Sequence, residues 1–148
     1  MAKYANGTNY AKTLDPTSAN IIDPGLLGGK VRVMKDTSTT TTHLDSGSYI
    51  IVGGLLPTVS QVVKVIIGSN ATAFQTSSNV QVGDEGDSDR YMTLVSCAAS
   101  VVSEGPNVST GMYYTVTGTT DNYIRLTVPT GSSVSSGTIN VSVLYTVE

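Results

Sequence analysis

The clearest hydrophobic pattern in the chain lies near its carboxyl end, in residues 137–147. Apolar or aromatic residues occupy every second position there, and polar residues separate them, with Leu144 as the one apolar exception. This period of two is typical of a β-strand with one buried face. A single strand cannot satisfy its own backbone hydrogen-bonding groups, so the sequence predicts other strands beside it. The alternating residues are Ile139, Val141, Val143, Tyr145 and Val147.

Shorter segments of the same kind precede it at roughly even spacing, separated by Gly, Pro and Asn turns such as Asp45-Ser-Gly47. No stretch of ten or more residues has helical periodicity, although 96–100 could form one helical turn. The pattern therefore predicts an all-β fold, an antiparallel β-sandwich or jelly roll. The predicted strands are 30–34, 49–52, 59–67, 73–82, 91–95, 112–116, 123–128 and 137–147, with the threonine-rich run 37–44 at a sheet edge.

Two details of this arrangement follow from the pattern. Residues 59–67 are apolar on nearly both faces, which is typical of a central strand. The alternation within this segment predicts Val63, Val65 and Ile67 on one side of the strand. The last three predicted strands are joined by short connections, so we expect them to form an antiparallel meander.

Residues 1–29 have no sustained period and contain turn signals such as Asp23-Pro24-Gly25. They are either a frayed tail or an extended arm that docks on a neighbouring subunit. Disordered tails are usually poor in isoleucine and leucine, and this segment is not. We therefore expect an N-terminal arm, 1–29, before a sandwich domain, 30–148. The candidate assembly contacts are Ile21, Ile22, Leu26 and Leu27.

The composition narrows the choice of partners and compartments. The 148 residues fit one domain, only 13% are charged, and the net charge is −3. Phosphate binding needs clustered Lys and Arg, so nucleic acid is not the expected partner. No apolar run approaches the roughly 20 residues of a membrane helix. The first residues carry no apolar segment of a secretory signal, which indicates synthesis in a cytoplasm.

Residues that could support catalysis are scarce. His43 is the only histidine and lies in a polar threonine run, and no G-x-S-x-G motif is present. Cys97, the only cysteine, lies among small residues and is expected to be a buried, inert thiol. We expect neither an enzyme nor a cofactor-binding protein.

The segment Asp84-Glu-Gly-Asp-Ser-Asp89 is the one dense acidic cluster. Carboxylates at alternate positions of a loop can bind calcium, but the spacing is not that of an EF-hand. The alternative is a solvated hairpin tip or a charged subunit contact involving Arg90. We favour the alternative and predict no metal site.

Tyrosine is the dominant aromatic residue, with eight copies against one phenylalanine and no tryptophan. Tyr113, Tyr114 and Tyr123 lie on predicted strands and could form a platform for a sugar ring. Neighbouring residues of a strand point to opposite faces, so at most one of Tyr113 and Tyr114 could serve.

Four features of the sequence belong together: the Met-Ala-Lys-Tyr start, the Gly- and Pro-punctuated arm to Gly29, the acidic turn from Gly83 to Arg90, and the ending 137–148. With these features the chain resembles the small virion structural proteins of tailed bacteriophages, especially capsid decoration or cement proteins. The resemblance implies a non-enzymatic β-sandwich that binds outside a capsid lattice and stiffens the joints between capsomers.

This resemblance implies further expectations about partners. The protein would lie in the virion, as a homo-oligomer, in contact with the major capsid protein or other virion proteins. The alternative is a receptor- or carbohydrate-binding β-sandwich module of a phage fibre or tail.

Overall fold

The computed structural model describes residues 30–40, 43–52, 56–69, 79–135 and 137–147. Within these ranges the chain forms eight strands, one short 3₁₀ turn at Ser109–Gly111 and no α-helix. No helix in the described part is long and apolar enough to cross a membrane. The strands are β1 (Lys30–Thr40), β2 (Tyr49–Val52), β3 (Gln61–Ser69), β4 (Asn79–Gly83), β5 (Met92–Ser96), β6 (Val102–Gly105), β7 (Ile124–Thr127) and β8 (Gly137–Val147).

The strands form two four-stranded sheets, which confirms the predicted β-sandwich. The first sheet has the order β1-β8-β3-β6 and the second sheet has the order β2-β7-β4-β5. The ladders of β3 with β6 and β8, of β7 with β2 and β4, and of β4 with β5 are all antiparallel. In the first sheet, β8 lies between β1 and β3, as its long alternating pattern led us to expect.

The pairing is nested. Strand β4 pairs with β5, β3 with β6, β2 with β7, and β1 with β8. Only the innermost pair joins strands that are consecutive in the chain. Every other pair joins strands that are separated by at least two others.

The core lies between the inner faces of the two sheets, where alternate residues of each strand meet. In β8 the buried residues are Ile139, Val141 and Val143, which are three of the five inward positions that the sequence predicted. The fully buried side chains with the largest volumes are Tyr91, Ile67, Met92, Ile124, Leu126 and Ile139.

One predicted side-chain orientation is wrong, and a β-bulge explains it. The register between β3 and β8 shifts between Val62 and Lys64, so that Val63 is an extra residue in the ladder. Val62, not Val63, therefore shares the core side with Val65 and Ile67. Val63 is left 39% exposed on the surface.

The predicted meander is also wrong. Strands β7 and β8 belong to different sheets. The predicted strand at 112–116 is irregular, with a single bridge between Thr115 and Gln61. In its place β6, which the pattern did not predict, pairs with β3.

Of the other predicted elements, some are confirmed, one is absent, and the rest lie outside the described residues. The threonine-rich run continues β1 as far as Thr40 at the sheet edge, and residues 46–47 form the expected turn. The possible helical turn at 96–100 is absent, because β5 runs to Ser96 and a turn follows. The first part of the predicted strand 73–82 and the arm 1–29 lie outside the described residues.

Candidate assembly surface

A shallow cavity of about 360 Å³ opens between β3, the end of β6 and the irregular segment that follows β6. Three of its lining residues are large apolar side chains that remain exposed: Val63 at 39%, Met112 at 58% and Tyr113 at 68%. We call these three residues the Tyr113 patch. Exposed apolar side chains grouped around a cavity are typical of a site that another molecule covers. The other lining residues are Lys64, Glu104, Gly105 and Pro106.

One wall of this cavity is an ion pair between neighbouring strands. Lys64 of β3 lies with its Nζ atom 2.6 Å from Oε2 of Glu104 of β6. Both side chains are more than a third exposed, so water screens the pair and it adds little stability. Its effect on the cavity is to leave that wall without net charge.

The backbone of Tyr113 has a conformation that non-glycine residues seldom adopt, with φ at 59°. Such a conformation persists only where neighbouring contacts hold it, and it often marks a functional site. Here the next residue supplies the contacts. The Tyr114 ring packs under the Arg90 guanidinium, 3.9 Å from the guanidinium carbon to the ring centroid. Tyr114 thus turns toward the protein while Tyr113 turns toward solvent.

The hydroxyl of Tyr114 donates a hydrogen bond of 2.7 Å to Oδ2 of Asp121. Asp121 is buried and also accepts from the backbone N–H of Thr117 and of Gly118 and from the Thr117 hydroxyl. Burial opposes ionisation of this carboxyl, but the donors outweigh it and hold its pKa well below the usual range. Burial and donation to Asp121 raise the pKa of Tyr114 to about 12.

The acidic loop folds around its first aspartate. Asp84 is buried and accepts hydrogen bonds of 2.9 Å from the backbone N–H groups of Gly86 and Asp87. Arg90 forms an ion pair with the same carboxylate. Burial works against the charge of Arg90, but the contact with Asp84 raises its pKa further. The expected contact with Arg90 is therefore present within the chain, although Asp84 is buried and not a solvated tip.

The described residues contain no group of three or more His, Cys, Asp or Glu arranged to hold a metal ion. Both Asp84 oxygens already accept hydrogen bonds from the loop and from Arg90. The geometry gives the calcium interpretation of this loop no support, since its central carboxylate is used to fold the loop itself.

The two residues considered for catalysis make only local contacts. His43 is exposed, with Nε2 3.1 Å from Oδ1 of Asp45. Cys97 is buried, and its thiol donates weakly to the carbonyl oxygen of Val95 at 3.8 Å. Burial raises the pKa of the Cys97 thiol to about 11, so very little thiolate is present near neutral pH.

The three tyrosines proposed for a sugar platform have different environments. Tyr114 is held between Arg90 and Asp121, and the hydroxyl of Tyr123 donates to Glu85 at 2.8 Å. Of the three tyrosines proposed for the platform, only Tyr113 is mostly exposed to solvent. The arm residues Ile21, Ile22, Leu26 and Leu27 lie outside the described residues.

Sequence reasoning missed most of this surface. The alternation pattern predicts a strand at 112–116, and it predicts Val63 on the same side as Val65 and Ile67. The available signal was Gly111 directly before Met112, because a glycine at that point allows close approach of another backbone. A Cβ atom at this position would overlap with the backbone of Arg90.

Comparison with solved structures finds similar folds, among them chains of two bacteriophage capsids. A chain of the cyanophage Pam1 capsid asymmetric unit is 24% identical, with a TM-score of 0.64, over 82% of this chain and 87% of that chain. A chain of the Ralstonia phage GP4 capsid is 15% identical, with a TM-score of 0.65, over 81% of this chain and 86% of that chain. The protein shares its fold with chains of two bacteriophage capsids. No family model matches the sequence, and no curated protein matches it significantly.

Proposed function

We propose that this protein is a structural component of a bacteriophage virion that binds the capsid as a decoration or cement protein. The observation that carries the proposal is the shared fold with chains of two phage capsids over more than 80% of each chain. Because coverage is nearly equal on both sides, the similar chains are close to this one in length. The likeness therefore extends over most of each chain.

A protein that attaches to a finished lattice needs a contact surface but no active site. The Tyr113 patch supplies a contact surface, because Met112 and Tyr113 are exposed on a segment that Tyr114 anchors. His43 and Cys97 have only local partners, so neither supports a catalytic role. On this proposal the partner is the major capsid protein or another virion protein. The site of action is the virion, after synthesis in the host cytoplasm.

The nested strand pairing supports the more specific of the two predicted folds. A jelly roll is a double sheet of eight strands. A chain that folds back on itself, so that β1 pairs with β8 and β4 with β5, produces two such sheets when it is rolled up. We infer that the sandwich is a jelly roll.

The N-terminal arm remains a proposal from the sequence. Ile21, Ile22, Leu26 and Leu27 would dock on a neighbouring subunit, and burial of each such side chain is worth about 1.5–3 kcal/mol. A chain without residues 1–29 should fold but fail to join its oligomer or its particle. Unchanged attachment of the truncated chain would show that the arm is only a tail, and failure to fold would place the arm in the core.

The decisive experiment adds purified protein to phage particles made without it. We expect the protein to sediment with the particles and to raise their melting temperature. The Tyr113→Ala variant should bind more weakly, while Leu94→Ala, which removes a 56% exposed side chain from β5 in the second sheet, serves as the matched control. If wild type neither binds nor stabilises particles but binds a glycan array, the carbohydrate-binding alternative replaces this proposal.

A further inference from the structure

Two arginines of the sandwich are stacked on tyrosines with the same geometry. Arg90 lies over Tyr114 and Arg125 lies over Tyr49, each with 3.9 Å from the guanidinium carbon to the ring centroid. A guanidinium on an aromatic face gains a cation–π attraction and keeps its N–H groups in the plane free to donate. The two stacks therefore allow a direct comparison.

The Arg90 stack is complete within the chain. Nε and Nη2 of Arg90 donate to the Asp84 carboxylate, and the carboxylate of Asp87 lies 4.0 Å from Nη1. The stacked cation thus has a carboxylate at its edge, which is the strong, charge-assisted arrangement for arginine.

The Arg125 stack lies on the outer face of the second sheet. Ile124 and Leu126 of β7 are buried on the core side, so Arg125 between them points away from the core. Its cross-strand neighbours are Ile51 of β2 and Gly83 of β4. Ile51 and Tyr49 are 51% and 52% exposed, so the cation is flanked by uncovered apolar surface.

Within the part of the chain that the structure describes, no carboxylate completes this second stack. Among the ion pairs of the described residues none includes Arg125, and its Nε is buried without a hydrogen-bond partner. Glu85, which lies near Tyr123 at the start of the same strand, accepts the Tyr123 hydroxyl instead. Thr127, two residues further along the same face and only 8% exposed, also has a buried hydroxyl without a partner. Unpaired buried polar groups are costly and usually have a reason.

We propose that the Arg125–Tyr49 stack is a docking site for a carboxylate side chain of a neighbouring virion protein. The carboxylate binds at the Nη edge of the Arg125 guanidinium, and Tyr49 and Ile51 are covered by the apolar residues around it. Arginine and tyrosine in a pocket that becomes desolvated are the residue types that dominate binding energy at interfaces. The identification of the partner as a virion protein rests on the proposed function, whereas the carboxylate chemistry does not.

The charge of the chain favours another protein over a second copy. The net charge is −3, so two copies repel each other at long range. A free carboxylate ion would pair with Arg125 but would leave Tyr49 and Ile51 uncovered. A protein segment that carries the carboxylate both pairs with Arg125 and covers Tyr49 and Ile51.

The first test compares variants in binding to particles made without this protein. Arg125→Gln should weaken binding by about tenfold to hundredfold, the value of a charge-assisted hydrogen bond. Arg125→Lys should recover only part of it, because lysine lacks the planar fork. Arg32→Gln removes the same charge from the edge strand β1 and should bind like wild type. Each variant is first checked for an unchanged thermal melt.

The second test uses the free protein and needs no particle. The Nε–Hε signal of Arg125 in a ¹⁵N NMR spectrum should shift on addition of tetraglutamate and not of tetraglutamine, while the Arg90 signal stays in place. If wild type fails to bind particles, the proposed function is wrong, and the Arg125 signal alone decides this inference. If wild type binds particles, wild-type binding by Arg125→Gln would overturn this inference. If wild type does not bind, an unmoved Arg125 signal would overturn it. Self-association that Arg125→Gln abolishes would reassign the site to a second copy.

Discussion

Arg90 lies flat over the ring of Tyr114, 3.9 Å from guanidinium carbon to ring centroid, while the hydroxyl of the same tyrosine donates to Asp121. One side chain therefore joins the acidic loop to the segment that follows the Tyr113 patch. The arrangement is stabilising because the hydroxyl donates to a carboxylate and the cation lies on the face of an aromatic ring. It also fixes the direction in which Tyr113 points, since the two tyrosines are adjacent in the chain.

The Tyr114→Phe variant keeps the ring under Arg90 and removes only the hydrogen bond to Asp121. We expect a loss of about 1–2 kcal/mol in the free energy of unfolding, measured by urea denaturation. Tyr123→Phe is the matched control, because its hydroxyl donates to the exposed Glu85 and should contribute less. Equal losses in the two variants would contradict the role assigned to the buried cluster.

Asp121 should make the protein sensitive to acid. Its pKa is lowered in the folded state, so its ionised form favours folding. That contribution is complete above the unfolded pKa of about 4 and is lost as the pH falls below this value toward the folded pKa. Urea unfolding from about pH 7 down to about pH 2.5 should show this decline. Asp121→Asn should be less stable at neutral pH and should show a shallower decline, and an unchanged acid profile would exclude Asp121 as a cause.

The Asp84→Asn variant removes the anion from a pair in which Arg90 is only 15% exposed. Leaving a buried charge without its partner typically destabilises a protein by about 3–5 kcal/mol. Asp87→Asn is the control, because that carboxylate is 33% exposed and 4.0 Å from Arg90, and it should cost about 1 kcal/mol or less. Thermal melts of both variants would check the order, and a reversed order would show that Asp87 is the main partner.

Gly111→Ala should disturb the Tyr113 patch by moving the segment that carries Met112 and Tyr113. The added Cβ would overlap with the backbone carbonyl of Arg90, so either the backbone or the loop must shift. We expect a loss of about 1–3 kcal/mol in stability, as for other overpacked sites, together with weaker binding to particles. Gly68→Ala is the control, since its Cβ would meet only Val102 at an ordinary 3.9 Å. Wild-type behaviour of Gly111→Ala would mean that this segment adapts freely.

Cys97 should not react in the native protein. Its thiol is buried, and its pKa is raised to about 11 by burial, so it is protonated at the alkaline pH of a thiol assay. With a chromogenic disulfide reagent we expect no labelling until a denaturant is added, and then one thiol per chain. Rapid and complete labelling of the folded protein would place the thiol at the surface.

The predictions from sequence succeeded where the pattern is local. The strand β8 could be located because alternation of apolar and polar residues needs no knowledge of the neighbouring strands. The core side of β3 could not be assigned, because the bulge at Val63 is a property of its pairing with β8. The sequence has valine at positions 62, 63 and 65, so alternation alone does not show which valine is the extra residue.

The candidate surfaces depend on contacts between distant parts of the chain. Met112 and Tyr113 are exposed because Tyr114 reaches Arg90, which the sequence places in a different loop. Arg125 is a candidate site because Tyr49 lies beneath it and, among the described residues, no carboxylate pairs with it. Alternation assigns a residue to a face, but it does not show which charged groups on that face have partners.

The nested pairing has a consequence for the time at which the protein can fold. In the first sheet the inner strand β8 is synthesised after the other described strands, so β1 has no partner until β8 has left the ribosome. Only the hairpin of β4 and β5 can close early, and pairings between distant strands form slowly. A nascent chain that ends before Gly137 should therefore be protease-sensitive, with the exposed apolar face of β3 open to aggregation. Emergence of β8, and not emergence of the first strand, would then set the moment of folding.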